Sequence, residues 1–154
     1  MFNHFNKIDK KYFKNIGDKK KIYNSISKKI QPLIKNKVVV DIGSGGNIFY
    51  NHKLVKELTI LDQSQEMLNN LENDKIIKIK QDARNMSKIK DCSVDVVLII
   101  FVLHHINGKT YSKSIISLKK VLHQVNKKLK PNGEIIIIEP TLNSFFYLLQ
   151  KIFY

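Results

Sequence analysis

The chain has 154 residues, 43% of them hydrophobic and 26% charged, which is the size and balance of one folded domain rather than a disordered or fibrous segment. Its formal net charge is +14, yet all but one of the basic residues are lysine, and phosphate-reading surfaces favour the bidentate fork of arginine; lysine, isoleucine and asparagine rise together as in A/T-rich coding drift, which argues against a nucleic-acid face. No apolar run approaches the roughly 20 residues that span a bilayer, and the single Cys92 excludes an intrachain disulfide framework and a cysteine-rich zinc site, so a reducing, cytoplasmic setting is expected.

Residues 1–37 carry 11 lysines against Asp9 and Asp18. This start has no continuous apolar stretch of the secretory kind, and its lack of arginine argues against a mitochondrial transit peptide. Phe2, Phe5, Tyr12, Phe13 and Ile16 fall near one helical stripe, and Ile22, Ile26, Ile30 and Leu33 make a second. Gly17 and Asp18 separate the two, and Pro32 marks the exit. Residues 1–36 therefore read as a lysine-rich helical arm or lid, and residues 37–154 as the main domain. The plain reading of the arm is a solvated lysine face; an anionic lipid or RNA surface is the alternative.

Beyond the arm, short apolar runs alternate with helical patterns. Strands are expected at 38–42, 58–61, 76–79, 94–101 and 134–138, and helices at about 48–56, 64–72 and 111–130. In the last helix Tyr111, Ile115, Leu118, Leu122, Val125 and Leu129 form one stripe, and Lys130, Pro131, Asn132 and Gly133 stop it with turn chemistry. Strand–helix alternation with fully apolar strands predicts an α/β fold, an open parallel sheet with helices on both faces.

The first strand runs into Asp41 and then Gly43, Ser44, Gly45, Gly46 and Asn47. Glycines there permit positive φ and let a ligand lie on the backbone. A phosphate-binding loop would need glycine at Leu103, ahead of Gly108, Lys109 and Thr110, so that motif fails. The dinucleotide fingerprint fits Gly43 and Gly45 but meets Ile48 at its last glycine. An aspartate beside this turn repels phosphate and suits a ligand with a cationic amine.

With these residues the chain resembles the class I S-adenosylmethionine-dependent methyltransferases, closest to the small-molecule branch that includes quinone-biosynthesis methylases. Their first motif, (D/E)-x-G-x-G-x-G, is matched by Asp41, Gly43 and Gly45, with Asn47 for the third glycine, a residue that tolerates the left-handed region. Asp62, Ser64, Met67 and Leu68 match a D-x-S-x-x-M-L run. The resemblance implies that Asp62 takes both ribose hydroxyls and that Gln63 and Met67 flank the adenine. Asp82 and Ala83 stand where the family meets the adenine edge. Phe101, Leu103, His104, His105 and Ile106 resemble its L-H-H run after strand four, with Phe101 on the cofactor side. Leu129, Lys130, Pro131 and Gly133 resemble its L-K-P-G-G turn. Together the motifs span about residues 37–140, and the implied cofactor is S-adenosyl-L-methionine in a Rossmann-like sheet ordered 3-2-1-4-5.

Methyl transfer needs positioning above all, and some acceptors also need a proton removed. His105 is the preferred base, with His104 and Glu139 as alternatives. No [ND]-P-P-[YFW] run follows strand four, as in many nucleic-acid amino methylases, and Cys92 precedes that strand. A small-molecule, lipid or quinone-like acceptor is therefore expected. A cofactor-binding protein without turnover and an RNA-directed methylase are the alternatives. The apolar residues 145–154, with the basic arm, suit peripheral membrane contact or a core helix. The family's strands six and seven have no counterpart in these residues, so strand five is an edge that a partner protein or a second copy could cover.

Overall fold

Unbroken runs of β-branched residues favour extended chain buried on both faces. Val38–Ile42 and Val94–Ile100 are such runs and form the centre of a five-stranded sheet in the structure, a computed structural model that describes residues 20–106 and 110–139. In chain order the elements are α1 (Lys20–Ile34), β1 (Val38–Ile42), β2 (Glu57–Asp62), α2 (Gln65–Asn69), β3 (Ile77–Lys80), β4 (Val94–Ile100), α3 (Tyr111–Lys128) and β5 (Leu129–Ile138). The sheet order is β3-β2-β1-β4-β5, and every pairing is parallel, as the sequence predicts. The apolar stripe at residues 2–16 and the tail at 145–154 lie outside the described residues.

The sheet has a helix on each face. Ile26, Ile30 and Ile34 of α1 pack with Val39, Leu58, Ile60 and Leu98. Val121 and Val125 of α3 pack with Val40, Ile42, Val97 and Ile99. Alternate residues of β1 and β4 thus serve opposite faces, as a two-residue side-chain period requires. Within α1 the buried stripe is 26, 30 and 34, while Ile22 and Leu33 are about half exposed, which corrects the expected stripe. The helix also runs two residues past Pro32, tolerated there because only the final turn loses a hydrogen bond.

A larger correction concerns α3. It buries Ser117, Val121, Val125 and Lys128, whereas Tyr111 is 83% and Leu122 39% exposed. Val121 and Val125 share a core with β1 and β4, and Lys128 is held by an ion pair to Asp91. Of the expected stripe, Val125 and Leu129 are buried and Ile115 and Leu118 half-buried, so the correction falls on Tyr111 and Leu122. Thr110 caps the helix by accepting from the Lys113 N–H.

The expected helix at residues 48–56 is also absent. Only one 3-10 turn, His52–Leu54, forms there. Gln31 pins Asn51 by donating to its carbonyl and accepting from its N–H, and Phe49 stacks on Tyr23 at 4.7 Å. These long-range contacts outweigh the weak pull of a short helix, whose nucleus is costly.

At the amino end of the sheet, Asp95 acts as a clip. Its Oδ2 accepts from the Val38 N–H at 2.8 Å, and its Oδ1 accepts from Lys130 Nζ at 2.7 Å. The residues expected to form a turn at 130–133 lie inside β5 as an irregularity, where pairing slips between Val94 and Val96. β3 and β5 are the edges, and Ile77, Ile135 and Ile137 keep exposed surface on them.

Candidate functional site

β1 places Asp41 just before the glycine turn and buries it. Gly43, Gly45 and Gly46 have φ of 69°, 66° and 73°, the left-handed region that side chains disfavour. Two of them also clear space. A Cβ on Gly43 would lie 2.8 Å from Val102 Cγ2, and one on Gly46 2.5 Å from the Met67 carbonyl oxygen. Gly43 thus lets the chain leaving β4 press on the turn, and Gly46 lets the turn lie on α2. Asn47 does not take the left-handed conformation. The close packing expected of the motif's third glycine is supplied one position earlier, by Gly46, which sequence reasoning did not single out; the Gly45–Gly46 pair was its signal.

Between these glycines the Ser44 hydroxyl is buried with no protein partner. Such a group is costly to leave unsatisfied, so it marks a place for a ligand. The neighbouring Asp41 carboxylate accepts from the Tyr50 hydroxyl at 2.8 Å. Burial pushes the Asp41 carboxyl up to about 7, against the lowering effect of Tyr50 and with a smaller push from Asp62. Burial, with the Asp41 charge added, also raises the Tyr50 hydroxyl. Asp41 is therefore sealed by Tyr50.

β2 delivers Asp62 to the same end of the sheet. Its Oδ1 accepts from the Ser64 N–H at 2.8 Å. Burial raises its carboxyl above the ordinary range, and backbone N–H groups of Ser64, Gly45 and Gln63 hold it down in part. Gly43 N–H further donates to the Leu61 carbonyl at 2.8 Å. Ser64 caps α2 through the Met67 N–H. Gln63 is exposed, while Met67 is only 2% exposed, so Met67 is a wall of the site rather than an open surface.

Asp82 and Ala83 follow β3 and are half-buried. The Asp82 carboxylate is gripped by Arg84, through Nε at 2.9 and 3.0 Å and through Nη2, and that bond chiefly holds it below the usual carboxylate range. The lone arginine of the chain therefore serves Asp82, a pairing the sequence analysis missed although i and i+2 in a turn are close.

At the end of β4, Phe101 has φ 56° and donates its N–H to the Ile138 carbonyl at 2.8 Å. Its ring lies 6.3 Å from that of Tyr23 in α1. Next comes the 3-10 turn Leu103–His105. Glu139 reaches this turn from the end of β5, and His104 Nδ1 lies 2.7 Å from Glu139 Oε2. The rings of His104 and His105 are 3.9 Å apart. All three candidate proton-transfer residues are thus brought together at the carboxyl end of β4, where open α/β sheets gather ligands.

A separate groove of about 670 Å³ lies between His52 and the segment from Asn70 to Ile76 that follows α2, and shares only Gly46 with these residues. Chemistry rather than volume marks the site, because the orphaned hydroxyl, the raised carboxyl groups and the glycine turn are all elsewhere. The donor set fits S-adenosylmethionine: Gly43, Ser44 and Gly45 offer backbone and hydroxyl contacts, and Asp62 offers a carboxylate.

Residues 40–137 match the family model for a methyltransferase domain. No curated protein matches the chain at a significant level. Among solved structures, a protein from Pyrococcus horikoshii is 24% identical with a TM-score of 0.64, over 84% of this chain and 63% of that one. A SAM-dependent methyltransferase from Archaeoglobus fulgidus is 22% identical with a TM-score of 0.68, over 88% and 59%. A Haloferax volcanii complex of a methyltransferase activator with a methyltransferase gives 20% identity and a TM-score of 0.62, over 80% and 54%. The chain thus spans less than two thirds of the length of these structures.

Proposed function

The chain belongs to the methyltransferase domain family, and from that premise we propose that it is an S-adenosylmethionine-dependent methyltransferase acting on a small-molecule, lipid or quinone-like acceptor. One observation carries the reading: the Gly43 N–H ties the glycine turn to Leu61, next to Asp62, while the Ser44 hydroxyl in that turn is buried and unpartnered. Bound S-adenosylmethionine would supply the reactive methyl group on its sulfonium. Asp62 would accept from the ribose hydroxyls, a task suited to a carboxylate with spare lone pairs. Ser44 and the turn's N–H groups would hold the methionine part. Phe101 and Ala83, with the Met67 wall and Gln63, would border the adenine, and Asp82, braced by Arg84, would accept from its amino group.

Asp41 enters this reading as a residue that shapes the turn rather than one that meets the ligand's amine, because its side chain is buried at 3% exposure and tied to Tyr50. His104, His105 and Glu139 stand on the acceptor side. The exposed edge of β5, with Ile135 and Ile137, supports a partner protein or a second copy there. No helix among the described residues is long and apolar enough to cross a membrane. The charge of +14 and the apolar residues 145–154 support a cytoplasmic protein with peripheral membrane contact through residues 1–36 and the tail.

Calorimetry with S-adenosylhomocysteine tests the cofactor: absence of binding, or tighter binding of NAD, removes the reading. Incubating the protein and methyl-labelled cofactor with a cell extract tests the acceptor. Label in the lipid or small-molecule fraction supports the proposal; label confined to RNA refutes the acceptor class, and binding without any transfer identifies a cofactor-binding protein.

A further inference from the structure

Glu139 reaches back 35 residues to the turn after β4. Its Oε1 accepts from the Val102 N–H at 2.7 Å and from the Leu103 N–H at 2.6 Å. Its Oε2 lies 2.7 Å from His104 Nδ1. A carboxylate offers about four acceptor positions, and one short turn engages Glu139 at both oxygens. That makes Glu139 a poor proton acceptor for a substrate. It also decides the histidine. An ionised carboxylate only accepts, so the neutral imidazole carries its proton on Nδ1 and keeps the lone pair on Nε2. The His104 side chain is 45% exposed and that of Glu139 20%, so the pair is anchored inside and open outside.

We propose that Glu139 is a positioning residue that fixes His104 as the base, with Nε2 left free for an acceptor that must lose a proton from oxygen or from an acidic carbon. This rests on the methyltransferase reading above. The proton passes from the acceptor to His104 Nε2, and the electron pair it leaves behind makes the acceptor a nucleophile. The Nδ1 proton stays on the ring. Glu139 keeps its bond to Nδ1–H and offsets the imidazolium charge, as an orienting carboxylate does in a hydrolytic triad. A neutral amine already has a free lone pair and needs no such base for attack, so the pair selects oxygen and carbon acids. His104, not His105, is the base.

The test reads the proton directly. Nitrogen-15 NMR above the ordinary imidazole range, at about pH 8, is expected to show wild-type His104 protonated on Nδ1, with its signals assigned by their loss in His104→Gln. In Glu139→Gln the amide oxygen serves Val102 and Leu103 and the NH₂ faces Nδ1, so the ring proton moves to Nε2. Label transfer in the extract assay falls about 100-fold or more in each single variant and no further in the double variant, because both act through one group. A wild-type proton on Nε2, or additive losses in the double variant, would overturn the proposal, and the wild-type spectrum decides even if Glu139→Gln does not fold. Failure of the wild type to bind S-adenosylhomocysteine instead defeats the methyltransferase reading, and the tautomer is measured independently of it.

Discussion

Tyr50 donates its hydroxyl to the Asp41 carboxylate at 2.8 Å, and both side chains are buried. Asp41 is therefore an acid that folding drives toward its neutral form, with the carboxyl raised from 3.8 to about 7. Folded-state protonation binds a proton that the unfolded chain releases. The contribution is fully present below about pH 3.8 and is lost as pH rises through about 7. Asp41→Asn removes the titration. Thermal unfolding without ligand is expected to show the variant more stable than wild type at about pH 8, with the gap closing as pH falls toward 4. A constant gap across that range would contradict the burial argument.

Tyr50→Phe leaves the buried carboxylate without its donor. A loss of about 1–3 kcal/mol is expected in urea unfolding, larger above pH 7 than below it because the ionised form depends most on the bond.

The glycine turn yields a paired prediction. Gly46→Ala forces a side chain into the left-handed region and against the Met67 carbonyl oxygen, at a cost of about 2 kcal/mol or more. Asn47→Gly restores the family motif on paper, yet Asn47 needs no left-handed conformation. It should bring no gain in S-adenosylhomocysteine affinity and lose up to about 1 kcal/mol through chain entropy. A tighter-binding Asn47→Gly protein would return the third-glycine role to position 47.

Asp62→Ala removes charge-assisted bonds to the ribose. The expected loss is about 1.5–3 kcal/mol, roughly 10- to 150-fold in S-adenosylhomocysteine affinity by calorimetry. Equal affinities would take Asp62 out of the site.

The two faces of α3 can be separated by truncation. Val121 is fully buried and Leu122 is 39% exposed. Val121→Ala should cost about 1–3 kcal/mol and Leu122→Ala less than about 1, despite deleting more carbon. The reverse ranking would reinstate the stripe read from Tyr111 to Leu129.

The strands and their order were legible because the central ones are closed apolar runs, and parallel crossovers leave few topologies. The acids at strand ends were legible for the same reason, since they interrupt those runs at fixed places. Helix faces were not. In α3, Ile116, Leu122 and Val121 sit on neighbouring sides, and apolar periodicity cannot say that the small side is the buried one. Pairings across turns were equally hidden. Nothing in the composition ties Tyr50 to Asp41 or Glu139 to His104, because each depends on where a loop returns.

The clip at Asp95 joins residues 57 positions apart in the chain, whereas β1, β2 and β3 are joined by neighbours in sequence. Closing a loop of that length carries an entropic cost that grows with its logarithm, and non-local parallel pairing is slow. The glycine turn and Asp62 consequently belong to the part of the chain that can assemble first, and His104 and Glu139 to the part that docks afterwards. Pulse-labelled hydrogen exchange during refolding should then show amides of β1 and β2 shielded before those of β5. Simultaneous protection would mean that the two halves form a single nucleus. In the sequential case the site matures in two stages, with the nucleotide-facing wall in place before the proton-transfer pair exists.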